Sequence, residues 1–304
     1  MARLFDAYIM VDWSAAAKPV TGPNSIWIGI LARNARLKMV FTAVNPDTRL
    51  KAVNFVKDMI QKLNARGDRV LLGFDFSMGY PAGTADALGF ETSPDRAPWQ
   101  AMADYLSSKV KEKADNSNSR FAIAASMNYA ISKGPFPFWG APKKDQVNTL
   151  GGTKTSFEGK ALPEYRDAEL YVRGAGLGTP KSVWQLAYTG SVGSQSLLGI
   201  PHVHHLKEAL DDAKLWPFET GLVSLDEDAL SGVKTVIAEI YPSLVSITPK
   251  QGKVVDELQV EAIARHYWGL DEKGRLAAAF GPPESLDPAK IPQIQQEEGW
   301  ILGI

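Results

Sequence analysis

The first 80 residues of the chain contain four short apolar runs and one segment in which apolar residues have helical spacing. Runs of strand length that are apolar almost throughout predict strands covered on both faces. Between the third and fourth runs, apolar residues recur at steps of three and four, which predicts an amphipathic helix. Asn45 and Pro46 form the expected start of this helix. The predicted strands are residues 7–11, 26–31, 37–41 and 69–76.

This order of three strands, a helix and a fourth strand predicts a mixed sheet. The second and third strands are expected to form a hairpin, whereas a helical crossover makes the two strands that it joins parallel neighbours. No GxGxxG turn follows the first strand, so the pattern is not that of a Rossmann domain. The expected fold class is α/β, with a three-strand meander, a crossover helix and further parallel strands.

The middle of the chain, residues 81–232, is rich in glycine, proline and tryptophan and has a weaker pattern. Within it we predict helices at Ala97–Lys113 and Pro201–Ala213 and a strand at Arg120–Ala125. Loops of such length without secondary structure are rare in compact domains. We therefore interpret this segment as a large insertion of helices and loops that forms a cap over a site.

The end of the chain returns to the pattern of the beginning. Residues 235–241 form another buried apolar run, and Asp256–Trp268 has the spacing of a helix with one apolar face. A length of 304 residues corresponds to about two domains, or to one domain with a large insertion. We predict a core formed by residues 1–80 and 233–304, with residues 81–232 as the inserted cap.

Three of the predicted strands end in an acidic residue, namely Asp12, Asp75 and Glu239. Ligands gather beyond the carboxyl ends of the strands in open α/β sheets, and parallel strands bring those ends to one edge. Helical spacing places Asp256 on the helix face that meets the sheet. We expect the four carboxylates to form one site, although any one of them alone is more often a loop cap or a salt-bridge partner.

Composition and charge limit the ligands and partners of such a site. Carboxylates in a chain without cysteine favour Mg²⁺ or Mn²⁺ over Zn²⁺. The net charge of −1 argues against binding of long duplex nucleic acid. Neither a signal peptide nor an apolar stretch long enough to span a bilayer is recognisable. We therefore expect a cytoplasmic protein with no membrane partner.

Motifs are distributed over nearly the whole chain: VDWSAAAKP (11–19), GFDFSMGYP (73–81), PKSVWQL (180–186), GSVGSQSLLGIP (190–201), LWPFETG (215–221), AEIYPS (238–243) and VDELQV (255–260). Together they resemble the DUF429-type proteins of the ribonuclease H-like superfamily, a group without an established function. The resemblance implies a ribonuclease H-like core in which Asp12, Asp75, Glu239 and Asp256 bind divalent metal and act in catalysis. Related sequences have a second aspartate where this chain has Gln259, which puts a second metal ion in doubt.

Hydroxyl, amine and amide side chains near the acids are candidates for binding substrate phosphate. Ser14 and Ser77 each follow a strand-end acid by two residues, as in the first phosphate loop of actin-like and sugar-kinase ATPases, although a local turn is the commoner role. The glycine-rich loop at 189–195 either presents backbone N–H groups to an anion or is a simple turn. Trp184 and Trp216 would face the same cleft. The full candidate set is Ser14, Lys18, Ser77, Lys181, Gln185, Ser191, Gly193 and Ser194.

These observations favour a divalent-metal-dependent phosphoryl or phosphodiester hydrolase, with Mg²⁺ or Mn²⁺ as cofactor and a nucleotide or small phosphorylated ligand as substrate. One alternative is an actin-like or sugar-kinase-like nucleotide-binding protein in which Ser14, Lys18 and residues 191–194 hold phosphates. Another is a non-enzymatic scaffold whose acids form structural ion pairs. One fold supports many functions, so the fold class does not choose among these hypotheses.

Overall fold

Six strands form one mixed sheet in the computed structural model, which describes residues 3–188 and 190–304. The strands are β1 (Ala7–Asp12), β2 (Trp27–Arg33), β3 (Met39–Val44), β4 (Val70–Phe74), β5 (Ala213–Leu215) and β6 (Thr235–Glu239). Their order across the sheet is β3-β2-β1-β4-β6-β5.

The antiparallel and parallel halves of the sheet meet at β1. β1 pairs antiparallel with β2, and β2 with β3, whereas β1, β4, β6 and β5 run parallel. The register places Val11 beside Phe74, and Phe74 beside Glu239. The carboxyl ends of the three central strands therefore lie at the same edge. The predicted α/β class, with a three-strand meander and a helical crossover to parallel strands, is confirmed.

Helices and short turns connect the strands. The helices are α1 (Arg49–Ala65), α2 (Thr84–Ala87), α3 (Pro98–Lys109), α4 (Arg120–Ser132), α5 (Asp167–Gly174), α6 (Gly193–Glu208), α7 (Val255–Glu272), α8 (Leu276–Ala279) and α9 (Ile291–Gln293). Turns of 3₁₀ helix occupy Lys143–Asp145, Pro242–Leu244 and Pro288–Lys290, and one π-helical turn occupies Ile294–Glu298. No helix in the two described ranges is long and apolar enough to cross a membrane.

Successive side chains of the central strands point to opposite faces of the sheet, so the apolar core forms two layers, one on each face. Ile9, Leu72 and Ile237 are neighbours across the sheet and pack in the layer that contains α1 and much of the segment 81–232. The opposite faces of the same strands pack with α7 and the carboxyl-terminal segment. The segment 81–232 therefore shares a core with the sheet, and it also supplies strand β5 at one edge.

The start of α1 differs from the prediction. Its N-cap is Thr48, whose hydroxyl accepts a hydrogen bond from the backbone N–H of Lys51. The predicted cap, Asn45, instead accepts from the Gly22 N–H and donates to the Ile26 carbonyl. Asn45 therefore fixes the turn between β1 and β2, which a helix-start pattern does not reveal.

Two predictions in the middle of the chain are also wrong. Arg120–Ala125 is the first half of α4 rather than a strand, because its alanine-rich run has high helix propensity and continues beyond residue 125. The helix predicted to start at Pro201 begins at Gly193 and contains Pro201 in its interior. Residues 196–201 are all buried, and this packing outweighs the proline penalty of about 3 kcal/mol.

Candidate active site

A cavity of about 400 Å³ opens at the carboxyl edge of β1, β4 and β6. Asp12, Asp75, Glu239 and Asp256 all line it. The parallel register brings the first three acids together, and the first turn of α7 adds Asp256. The sequence prediction that these four acids lie at one sheet edge therefore agrees with the structure.

Asp12 and Asp75 form the centre of this group. Their carboxyl groups are close enough to shift each other's pKa, and Asp75 Oδ1 accepts the Trp13 N–H at 2.7 Å. Burial, followed by the charges of Asp75 and Asp256, raises the pKa of Asp12 well above its usual range. Burial likewise raises the pKa of Asp75, to about 7. Burial therefore favours the protonated form of this pair when no cation is bound.

Asp256 is held beside this pair by a turn between β1 and β2. Its Oδ2 accepts the Asn24 N–H at 2.6 Å. Asn24 has a φ of 57°, a left-handed conformation that asparagine tolerates better than most residues. Gln259, one helical turn further along α7, lines the same cavity. In the described ranges Asp12, Asp75 and Asp256 form no salt bridge with lysine, arginine or histidine.

Glu239 has a different environment from the other three acids. Arg166, which is fully buried, donates from Nη1 to Glu239 Oε2 at 2.8 Å and from Nη2 to Oε1 at 2.6 Å. Oε2 also accepts the Met78 N–H at 3.0 Å. Both carboxylate oxygens are thus occupied by protein donors. This differs from the expectation of four equivalent metal ligands, and it matches the salt-bridge alternative for Glu239.

Arg166 also binds a second buried acid, Glu169, on the first turn of α5. Its Nη1 donates as well to the Glu298 carbonyl at 2.8 Å. Burial raises the pKa of Glu239, and the charge of Arg166 acts against that rise. Arg166 thus ties together β6, α5 and the carboxyl-terminal segment directly behind the cavity.

The carboxylates of Asp12 and Asp75 suit the way in which proteins usually coordinate Mg²⁺. In the described ranges, no three His, Cys, Asp or Glu side chains are grouped closely enough to hold a metal by themselves. Mg²⁺, however, is commonly held by one or two carboxylates, with water and substrate phosphate completing its coordination. Asp12 and Asp75 supply two such carboxylates, adjacent and without a cationic partner. A bound cation would favour the deprotonated form of both carboxyl groups.

The predicted phosphate-binding residues divide into two groups. Ser14, Ser77, Lys181 and Ser191 line the cavity. The others lie elsewhere: Lys18 is exposed outside the lining, Gln185 donates to the Ala187 carbonyl, Gly193 donates from its N–H to the Gln185 carbonyl, and Ser194 bridges Arg120 and the Leu186 carbonyl. Thr189, the first residue of the predicted glycine-rich loop, lies outside the described residues.

Several lining residues were missed by sequence reasoning. Tyr188, Gln195 and Tyr241 line the cavity, whereas Trp184 and Trp216, the predicted aromatic candidates, are fully buried in the core. Nothing in the sequence around Tyr188 distinguishes it from a core aromatic residue. Its left-handed φ of 80° is a property of the folded loop only.

The cavity is strongly acidic. Its charged lining residues in the described ranges are Asp12, Asp75, Glu169, Glu239 and Asp256 against the single basic residue Lys181. Arg166 neutralises much of the charge of the two glutamates from behind. The uncompensated charge is therefore concentrated on the three aspartates, where a cation would bind.

Comparison of the chain with protein-family models, curated proteins and solved structures gives no match. The geometry and charge of this cavity are therefore the basis for assigning a function.

We predict that Arg166→Met destabilises the protein by about 3–5 kcal/mol, because it leaves two buried carboxylates without their cation. Arg265→Met is the matched control, since it removes a partly exposed pair with Glu261 on α7 and a cation–π contact 5.8 Å from the Phe41 ring centroid. We expect it to cost about 2 kcal/mol or less. Urea unfolding of both variants measures the difference. Equal losses would show that the buried ion network contributes little to stability.

We predict that the protein loses stability in EDTA as the pH rises from about 4 to about 7. An acid with a raised folded-state pKa binds its proton more tightly in the native state, so deprotonation disfavours that state. Asp75→Asn removes the buried ionisation and keeps an oxygen for the Trp13 N–H. The difference in free energy of unfolding between this variant and wild type should therefore shift in favour of the variant between pH 5 and pH 8. We expect this shift to be on the order of 1–3 kcal/mol.

Urea unfolding at a series of pH values measures this gain. Asp58→Asn, on the exposed face of α1, is the control and is expected to follow wild type. A constant difference between Asp75→Asn and wild type across this range would contradict a shared proton in the pair.

Proposed function

We propose that the protein is a divalent-metal-dependent phosphoryl or phosphodiester hydrolase acting on a small phosphorylated substrate or nucleotide. The observation that carries this proposal is the adjacent pair Asp12 and Asp75, which faces an open cavity without a salt-bridge partner in the described ranges. Burying two neighbouring carboxylates is costly unless a cation compensates them. Phosphate esters are substrates that both require and contribute ligands to such a cation.

The sheet supports assignment to the ribonuclease H-like superfamily as part of the same proposal. The strand order is β3-β2-β1-β4-β6-β5, and β2 runs opposite to the other five strands. This arrangement is compatible with that fold. Membership of the DUF429-type proteins remains part of the proposal too, since it depends on the sequence motifs. Under this assignment the strand-end acids occupy the catalytic edge.

Within this proposal the aspartates have different roles. Asp12 and Asp75 would hold Mg²⁺ or Mn²⁺, and Asp256 lies beside them. The ion would supply charge stabilisation at the phosphoryl oxygens of the substrate. In hydrolysis the water oxygen bonds to phosphorus and the bond to the ester oxygen breaks. Asp256 accepts the proton of the attacking water, and the departing oxygen takes a proton from solvent.

Glu239 and Arg166 support the site without holding the ion. Glu239 accepts the Met78 N–H and so fixes the segment after Asp75, which contains Ser77. Because Arg166 occupies both oxygens of Glu239, Glu239 has no free oxygen for a metal. We therefore propose Asp12, Asp75 and Asp256 as the functional acids and assign Glu239 a positioning role.

Size and charge favour small substrates over long nucleic acids. A volume of about 400 Å³ lies within the usual range of small-molecule sites. Duplex binding depends on many lysine and arginine contacts to phosphates, whereas the described cavity lining contains only Lys181 as a basic residue. The actin-like alternative is not favoured, because it requires Lys18 at the phosphates and Lys18 lies outside the lining.

We predict that Mg²⁺ or Mn²⁺ raises the melting temperature of wild type at neutral pH, because an ion that binds only the native state stabilises it. The effect should be lost in Asp12→Asn, which keeps the shape of the side chain but removes ligand charge. The same variant should lose roughly a hundredfold or more of any metal-dependent hydrolysis, since the ion contributes several kcal/mol to the transition state.

Thermal melts and assays with a chromogenic phosphate monoester and diester measure these effects. Asp58→Asn again serves as the control and should behave as wild type. Melting curves that are insensitive to both ions, or equal hydrolysis by wild type and Asp12→Asn, would overturn the proposed function.

A further inference from the structure

The rim of the cavity carries an exposed aromatic residue, Tyr188. Its side chain lines the cavity, yet 61% of the residue is open to solvent. The other lining aromatics are less available: Trp13 is 1% exposed and packs against Phe74 and Phe76, and Tyr241 is half-buried. Among the described aromatic residues that line the cavity, Tyr188 therefore has the largest surface available to a ligand.

The backbone at Tyr188 has an unfavourable conformation for tyrosine. Its φ of 80° lies in the left-handed region, which is energetically unfavourable for a non-glycine residue. In the described structure no hydrogen bond of the Tyr188 hydroxyl and no close ring pair offsets that cost. A large aromatic side chain held in this way at the mouth of a cavity is typical of a functional position.

Lys181 lies on the same rim. A Cβ atom added to Gly190 would lie 3.7 Å from Lys181 Cγ and 3.8 Å from its Cε, so the lysine stem runs alongside the loop that contains Tyr188. Lys181 is exposed and forms no salt bridge with the residues described. Its ammonium group is thus available to an anion bound in the cavity.

A serine of the cavity lining, Ser77, also has a hydroxyl without a protein partner. The residue is only 3% exposed and lines the cavity, and its Oγ makes no hydrogen bond with any residue in the two described ranges. This hydroxyl is therefore free to hydrogen-bond to an oxygen-rich ligand in the cavity.

We infer that the substrate is a mononucleotide whose base stacks on Tyr188 and whose phosphate lies between Lys181 and the aspartates. The inference rests on the proposed function, because the aspartates bind a phosphate only through a cation. A solvent-exposed tyrosine ring offers a planar apolar surface that a sugar phosphate alone does not need. Stacking of a base on an aromatic residue strengthens binding by roughly tenfold or more and tolerates any base.

Calorimetric titration with adenosine monophosphate and with ribose phosphate, in millimolar Mg²⁺ at neutral pH, tests the inference. Wild type should bind the nucleotide roughly tenfold more tightly than the sugar phosphate. Tyr188→Asn, which suits the left-handed backbone but lacks the ring, should lose this preference, while Tyr188→Phe should retain it. Lys181→Met should weaken both ligands by a similar factor.

Tyr129→Asn is the matched control, because Tyr129 is similarly exposed, at 57%, on α4 outside the cavity lining. It should bind both ligands as wild type does. Nucleotide affinity that is unchanged in Tyr188→Asn, no preference in wild type, or no binding of either ligand would each overturn the inference.

The same titrations with Asp75→Asn, and with wild type in EDTA, separate this inference from the proposed function. Both conditions should weaken the two ligands together if the aspartates bind phosphate through a cation. Affinities for both ligands that stay at the wild-type level in both conditions, with the Tyr188-dependent preference kept, would support nucleotide recognition and contradict the metal-dependent function.

Discussion

The cost of placing several carboxylates at one sheet edge is the constraint on which this structure depends. Parallel pairing of β1, β4 and β6 brings Asp12, Asp75 and Glu239 together, and α7 adds Asp256. Such a cluster is unstable unless charge is removed or compensated. The protein uses both solutions: Arg166 compensates Glu239, and burial raises the pKa of Asp12 and of Asp75, which favours their neutral forms.

This division of charge links stability to function. The fully buried Arg166 joins β6, α5 and the carboxyl-terminal segment, so the neutralised half of the cluster holds the wall of the cavity together. The other half faces the cavity and has no cation of its own in the described ranges. A site that is stabilised only by a proton is one that a divalent ion can occupy by displacing that proton.

Much of this arrangement could be predicted from the sequence, because strand ends and helix faces are periodic features. Asp12 and Asp75 directly follow apolar runs, and Asp256 shares a helical face with Val260, so local patterns place them. The partner of Glu239 could not be predicted, since Arg166 lies 73 residues away along the chain in a segment without clear periodicity. Tyr188 was missed for a related reason: its place at the cavity depends on a left-handed loop conformation that only the folded segment 81–232 defines.

The most direct test of the central claim is the number of protons released when Mg²⁺ binds, measured by calorimetry in buffers of different ionisation enthalpy. At a pH near 6, where the aspartate pair retains its proton, binding to wild type should release roughly one proton per ion. Asp75→Asn should bind Mg²⁺ much more weakly and release none. Binding to wild type without proton release, or equal binding by Asp75→Asn, would contradict the account of a cation site centred on Asp12 and Asp75.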